Sequence, residues 1–120
     1  MSSPARQFRL TETRRIGELF DGGLRAWDRR LTLLGLPNGS DRTRVAFAVG
    51  KRQHGNAVRR NRVRRLCREA FRRAQSELPV GWDLVIMPRG GIEPTIDDLA
   101  ASVSALATRL KAKAGKCNDE

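Results

Sequence analysis

The residues with the clearest chemical potential are ten cations gathered in one short segment. Residues 51–73 carry ten Lys or Arg and one acid, Glu69, which gives this segment a net charge of +9, whereas the other 97 residues together carry +2. Nine of the ten cations are Arg, whose planar guanidinium binds phosphate through two hydrogen bonds and stacks on flat rings. The concentration of one residue type predicts a surface that binds a polyanion.

Helical phase divides this segment into two faces. Asn56 is a suitable N-cap, and the helix is predicted to run to about Glu77, just before Pro79. One face is apolar and is expected to pack on a sheet: Val63, Leu66, Cys67, Ala70 and Ala74. The opposite face is polar and basic: Asn61, Arg64, Arg65, Arg68 and Arg72. A face that is only solvated usually mixes acidic with basic residues. This face has no acidic residue, so we expect a nucleic-acid ligand. Arginine chemistry favours folded RNA, although composition alone leaves DNA open.

No other group of residues predicts catalysis or metal binding. His54 is the single histidine and has no Ser, Asp or Cys partner beside it, which favours a loop residue near RNA. Cys67 falls in the apolar stripe, and neither it nor Cys117 belongs to a CxxC or Cys/His pattern, so no zinc site or disulfide framework is predicted. Asp97 and Asp98 suit the dipole of a helix N-terminus. We therefore predict no catalytic residue and no metal site on the protein.

Length and composition limit the class of protein. The 120 residues, 39% of them hydrophobic, predict one globular domain. We divide the chain into a flexible N-terminal arm (1–7), a single RNA-binding domain (8–112) and a flexible C-terminal tail (113–120). The first seven residues are polar and no apolar stretch approaches 18 residues, so neither a signal peptide nor a membrane span is expected. The chain has only two cysteines and no disulfide framework is predicted, which favours a reducing, cytoplasmic setting.

A helix and two strands are predicted before the basic helix. The first helix runs from a cap at Thr11 to the glycine pair 22–23. An apolar strand, 31–36, leads through the turn residues 37–41 into a hairpin with a second strand, 44–50. The core face of this second strand holds Val45, Phe47 and Val49. Its other face holds Arg44, Ala46, Ala48 and Gly50, mostly small residues that allow a ligand to approach the sheet closely.

A strand and a helix are predicted after the basic helix. Residues 82–87 form the strand, and residues 95–98 resemble a capping box that opens the helix. The helix should bury Leu99, Val103, Leu106, Ala107 and Leu110 and end before Gly115. A further short strand near residues 23–30 would bring the sheet to four strands. The predicted fold class is an α+β or α/β sandwich with three helices and a small mixed sheet of three to four strands, in the order α-β-β-(β)-α-β-α.

The basic segment resembles a known family. The run from Val49 to Arg72 is similar to the signature of the bacterial ribonuclease P protein component, whose hallmark is an Arg-Asn-Arg motif in a basic helix, here residues 60–62. The flanking residues fall at the family spacing: Lys51-Arg52, Gly55-Asn56-Ala57-Val58, Arg64-Arg65 and Arg68-Glu69-Ala70-Phe71. Further matches, among them Asp83-Leu84-Val85-Ile86, extend the resemblance to about residues 8–112.

The resemblance implies a role in tRNA processing. Such a protein joins a catalytic RNA in an endoribonuclease that removes the 5′ leader from precursor tRNA, with Mg²⁺ held by the RNA and no cofactor on the protein. It also implies a left-handed β-α-β crossover. A cytoplasmic protein that is monomeric when free, and that binds neither membrane nor DNA, is expected.

The resemblance assigns two sets of residues. The RNA-contacting set is Lys51, Arg52, Arg59, Arg60, Asn61, Arg62, Arg64, Arg65, Arg68 and Arg72. The set that would line a cleft for the single-stranded leader is Ile16, Phe20, Thr32, Leu34, Ala46, Ala48 and Gly50. Phe20 has a second interpretation as a core residue, Arg62 as a brace between helix and sheet, and Asn61 as a partner of local backbone. Family members often carry an aromatic where this chain has Ile16, and some where it has Leu34, which weakens the expectation of base stacking there.

Three other classes of protein compete with this interpretation. A ribosomal type of RNA-binding protein would share the charge but would not prefer leader-bearing tRNA precursors. A helix-turn-helix DNA-binding protein is disfavoured because no helix lies shortly before the basic one. An autonomous nuclease would need a group of carboxylates or histidines to hold metal, and the sequence provides none.

Overall fold

The computed structural model describes residue 10 and residues 13–50, 55–90 and 95–118. These residues form three helices: α1 (Thr13–Gly22), α2 (Ala57–Ala74) and α3 (Ile96–Asn118). They also form four strands: β1 (Leu24–Trp27), β2 (Leu31–Pro37), β3 (Arg44–Phe47) and β4 (Trp82–Pro88). The predicted fold class is confirmed, including the short strand near residues 23–30. No helix in this described part of the chain is long and apolar enough to span a membrane.

The sheet corrects one prediction. Its strand order is β1-β2-β4-β3, so β2 and β3 do not form the expected hairpin. β4 lies between them, antiparallel to β2 and parallel to β3. Turn residues 37–41 show that the chain reverses there, but they do not specify the partner. β4 is buried along nearly its whole length, whereas β3 is largely half-buried, so the more apolar strand takes the central position. The left-handed crossover stays a prediction.

Helices cover both faces of the sheet. α2 and α3 pack on one face and enclose the main core, which includes Leu33, Ile86 and Leu106. α1 packs on the other face, where Leu19 joins a smaller cluster with Leu10, Leu34 and Val85. β2 and β4 are therefore buried on both sides. β1 and β3 form the two edges of the sheet.

Three of the four ends of α2 and α3 follow local sequence signals. The Asn56 side chain accepts a hydrogen bond from the backbone N–H of Arg59 and caps α2. The Oγ1 of Thr95 accepts one from the N–H of Asp98, 3.1 Å away, at the start of α3. α2 ends at Ala74, and a 3-10 turn carries the chain to Glu77, the predicted end. α3, however, continues through Gly115 to Asn118, so the prediction that it ends before Gly115 is wrong.

The physical reason is that Gly115 adopts no turn conformation. It is absent from the described glycines with positive φ, and a Cβ built there would meet nothing within 4 Å. A solvent-exposed glycine costs a helix only about 1 kcal/mol relative to alanine, and the preceding turns are anchored in the core. The boundary predicted between residues 112 and 113 thus falls inside a continuous helix. The Thr11 cap and the arm 1–7 lie outside the described residues.

A glycine sets the distance between α3 and the sheet. A Cβ at Gly35 of β2 would lie 2.8 Å from the Leu110 side chain and 2.8 Å from that of Leu84. Real Cβ contacts are not this short, so the helix can lie this close to β2 only where the strand has no side chain. We expect that any larger residue there would push α3 outward.

Candidate RNA interface

The outer face of α2 is a basic surface, as its helical phase predicts. Seven predicted RNA-contacting residues are exposed: Arg59, Asn61, Arg62, Arg64, Arg65, Arg68 and Arg72. The inward stripe is confirmed as well, because Val63, Cys67, Ala70 and Ala74 are buried and Leu66 is half-buried. Phe71, which the stripe did not include, is also buried. Lys51, Arg52 and His54 lie outside the described residues.

Arg60 differs from the other arginines of the helix. It is half-buried, and its Nε is shielded from solvent with no hydrogen-bond partner among the described residues. A buried donor without an acceptor costs free energy.

Cys67 is a core residue. Its side chain is 1% exposed, and burial raises the pKa of the thiol to about 12. At neutral pH the thiol is therefore protonated and unreactive. This confirms its interpretation as a small buried hydrophobic residue.

A groove of about 460 Å³ lies between α1, β3 and α2. One wall is made by Leu10 and by Ile16 of α1, and the floor by β3 residues 45–47. The opposite wall is polar and comes from α2: Asn61, Arg64, Arg65 and Arg68. The sequence interpretation assigned these α2 residues and Ile16 to two separate sites. The structure brings them together around one groove.

Predicted cleft residues outside this groove are more scattered. Leu34 is fully buried in the smaller cluster beneath α1, so the prediction that it lines an open cleft is wrong. Thr32 and Ala48 are half-buried on the same face of the sheet, and Gly50 is exposed after β3. Phe20 is 40% exposed on α1, which makes it a surface residue rather than part of the core.

A buried carboxylate joins one wall of the groove to its floor. Asp83, at the start of β4, is completely buried, and its two oxygens accept hydrogen bonds from three side chains. The Nε of Arg44 lies 2.8 Å from Oδ1, the Nε of Arg15 lies 2.8 Å from Oδ2, and the Nδ2 of Asn38 lies 2.9 Å from Oδ1. Arg15 belongs to α1 and Arg44 to β3. The same carboxylate therefore holds the helix on one side of the groove and the strand at its floor.

The hydrogen bonds decide the charge state of Asp83. Burial alone would raise the pKa of its carboxyl, but the bonds from Arg44, Asn38 and Arg15 and the charge of Arg44 outweigh that effect and hold the pKa below its ordinary value. Sequence reasoning missed this group. The available signal was one acid in the otherwise apolar strand 82–87.

The other acids do not form a metal site within the described residues. No three side chains of His, Cys, Asp or Glu come together there in a way that could hold a metal ion. Several acids are instead paired with arginine: Glu69 with Arg72, Asp97 with Arg73, and Asp98 with Arg30.

Known proteins similar to this chain agree on one family. The family model for ribonuclease P matches residues 5–111. The ribonuclease P protein component of Brevibacillus brevis is 37% identical over 108 residues, which cover 88% of this chain and 85% of the relative. That of Pseudomonas aeruginosa strain LESB58 is 38% identical over 88 residues, covering 72% of this chain and 64% of the relative.

Solved structures give the same result for the fold. The RNase P protein from Thermotoga maritima superimposes with a TM-score of 0.75 at 28% identity, covering 84% of this chain and 96% of that one. The RNase P protein of Staphylococcus aureus gives a TM-score of 0.72 at 23% identity, with coverage of 87% and 95%, which supports the fold alone. With the family match spanning nearly the whole chain, this protein belongs to the ribonuclease P protein component family.

Proposed function

We propose that this chain, as the protein subunit of a ribonucleoprotein endoribonuclease, binds two RNAs at the same time. One is its partner, the catalytic RNA, and the other is its substrate, the precursor tRNA. The exposed arginines of α2 contact the catalytic RNA, and the groove beside them holds the 5′ leader of precursor tRNA. The observation that carries the proposal is the shared wall: Asn61, Arg64, Arg65 and Arg68 border the groove and also belong to the basic face.

The two walls of the groove suit a single RNA strand. Arginines on α2 offer paired donors to phosphate oxygens, while Leu10 and Ile16 offer an apolar surface to the bases. Ala46 on the floor carries only a methyl group, so a strand can lie close to the sheet. A groove of this kind binds through charge and shape and gives little preference for sequence.

In this proposal, the protein positions the leader and does not cut it. Hydrolysis of a phosphodiester in such enzymes depends on metal ions that activate water and stabilise the leaving oxygen. We assign the Mg²⁺ ions to the RNA partner and no cofactor to the protein. We assign the protein to the bacterial cytoplasm, as a monomer when free of RNA.

Cleavage of precursor tRNA at low Mg²⁺ tests the proposal. Three reactions are compared: protein alone, catalytic RNA alone, and both together. We expect rapid leader removal only in the mixture, and its loss when Arg64→Gln and Arg68→Gln are combined. Arg42→Gln with Lys111→Gln removes the same charge from exposed residues away from the groove and should leave cleavage intact.

Each alternative outcome has a distinct meaning. Cleavage by the protein alone would overturn the assignment of the chemistry to RNA and Mg²⁺. Equal loss in both double variants would show that total charge, rather than the groove, drives the reaction. A protein without effect on the catalytic RNA would contradict the subunit role.

A further inference from the structure

The face of the sheet that α1 covers continues past the helix as a strip that none of the three described helices covers. Trp27 on β1 pairs with Thr32 on β2, and Thr32 pairs with Met87 on β4. Ala48, just after β3, donates its N–H to the carbonyl of the residue before Met87, Ile86. These neighbours therefore form a row across all four strands at one end of the sheet.

Strand alternation places this row on the α1 side. Ala26, Leu33 and Ile86 precede or follow members of the row and lie in the main core beneath α2 and α3, so the row faces the opposite way. Met87 and Ala48 pack against the smaller cluster, which is the one on the α1 side.

α1 itself crosses the other end of this face. Leu19 packs there with Leu34 and Val85, and Arg15 reaches Asp83. At the end that α1 does not reach, Thr32 is half-buried and Trp27 is 54% exposed.

One cation lies close to the Trp27 ring, and two more are near it in the chain. The Nζ of Lys113 on α3 lies 5.9 Å from the ring centre, and Arg25 and Arg29, two residues before and two after Trp27, are exposed. Lys113 also donates to the carbonyl of Arg25, and Arg109 donates to that of Trp27, 3.3 Å away. These bonds occupy carbonyls along the edge of β1, which disfavours pairing with a strand of a second copy.

An exposed indole among cations matches the chemistry of single-stranded nucleic acid. Bases stack on the ring, and the cations meet the phosphates. The strip also continues the groove, because Ala48 is two residues from Ala46 on its floor. Three strand spacings separate β3 from β1, about 14 Å, a distance that a few nucleotides bridge.

We propose that Trp27 is a stacking platform for a leader nucleotide further from the cleavage site than those in the groove. The inference rests on the proposed function, since it extends the same leader across the sheet. It supplies an aromatic contact that Ile16 does not provide within the groove.

A series of precursor tRNAs with leaders of increasing length tests this assignment in the assembled enzyme. For the natural chain, affinity should rise as the leader grows and enters the groove, and should rise again when it reaches Trp27. In Trp27→Ala the second rise should disappear, a loss of roughly five- to 150-fold in affinity for long leaders. Short leaders should bind equally well to both proteins.

Two further variants separate stacking from folding. Trp27→Phe keeps a flat ring and should restore most of the second rise. Val80→Ala truncates another exposed apolar side chain, 71% exposed and outside the strip, and should bind every leader like the natural chain. Thermal melting of each variant checks that the fold is intact.

Fluorescence gives an independent readout. Trp82 is 6% exposed, so quenching by acrylamide in the natural chain reports mainly on Trp27. Long-leader substrate should protect Trp27 from acrylamide, and short-leader substrate should not.

The outcomes distinguish this inference from the function on which it rests. A natural chain whose affinity ignores leader length would overturn both. If the natural chain shows both rises in affinity and Trp27→Ala shows the same two rises, only the role of Trp27 is overturned. A loss that is equal for all leaders would place Trp27 against the catalytic RNA or the tRNA body and would also overturn the inference.

Discussion

Arg15 on α1 donates from Nε to Oδ2 of Asp83 on β4, 2.8 Å away, although the two residues are 68 positions apart. The carboxylate is completely inaccessible to solvent, and the Arg15 side chain is 19% exposed. The same carboxylate binds Arg44 on β3. This contact fixes the helix that forms one wall of the groove to the strands that form its floor.

Replacing Asp83 by Asn should destabilise the protein strongly. The amide keeps the size of the side chain but leaves the guanidinium groups of Arg15 and Arg44 without their buried counter-charge, which costs about 3 kcal/mol or more. Urea unfolding followed by circular dichroism measures the change. Asp97→Asn breaks an exposed pair with Arg73 and should change stability little. Equal effects of the two variants would contradict the role given to Asp83.

Stability should fall at acid pH, and Asp83 should account for part of the fall. Its pKa is lower in the folded protein than its ordinary value of 3.8, so its contribution is present above about pH 4 and is lost as the pH falls through the folded pKa. The pKa of Asp28 is also lowered in the folded protein: burial alone would raise it, but the hydrogen bonds from Ser102 and two backbone N–H groups outweigh the effect of burial. Melting temperatures between pH 2 and 7 should drop less steeply in Asp83→Asn than in the natural chain. Parallel curves would contradict this.

Binding of the catalytic RNA should depend steeply on salt. If six to eight phosphates are contacted, log K should fall against log salt with a slope of roughly 0.7 to 0.9 per contact. Combining Arg64→Gln with Arg68→Gln should reduce the slope by about 1.4 to 1.8 units. Filter binding across a salt series measures both values. A slope near one or two for the natural chain would contradict the assignment of the α2 face.

Enlarging Ala46 should block the groove without affecting the catalytic RNA. Ala46 is half-buried on the floor, and valine suits a strand, so Ala46→Val should fold. We expect weaker binding of leader-bearing precursor by the assembled enzyme and unchanged binding of mature tRNA. A variant that weakens both substrates equally would show that the groove does not hold the leader.

Cys67 should resist thiol reagents while the protein is folded. With a pKa raised to about 12 and the side chain buried, it has almost no thiolate at pH 8. In a Cys117→Ser background, we expect no reaction with a chromogenic disulfide in buffer and one reacting thiol per chain in denaturant. Fast reaction in buffer would contradict its position in the core.

Local patterns account for much of the fold. The stripe from Val63 to Ala74 and the cap at Asn56 depend on neighbours within one or two turns, and the sequence predicts them. The place of β4 between β2 and β3 depends on pairing between distant segments, which the turn at residues 37–41 does not specify.

The candidate site was predicted unevenly for the same reason. The exposed face of α2 follows from helical phase. The burial of Leu34 does not, because alternation puts it on the same face as Thr32 and only the path of α1 decides which of the two is covered. The bond between Arg15 and Asp83 joins elements that are distant in sequence, and no local pattern indicates it.

The central position of β4 also sets the earliest point in synthesis at which the sheet can be completed. The strands β2 and β3 and the helix α2 are all translated before β4, the strand with which they pair or pack. At five to 20 residues per second, the ribosome needs about one to three seconds to proceed from the end of α2 to the end of β4. During that interval the arginines of α2 have been made, but the sheet that orients them is incomplete. The groove between α1, β3 and α2 can therefore form only after the last strand has been made.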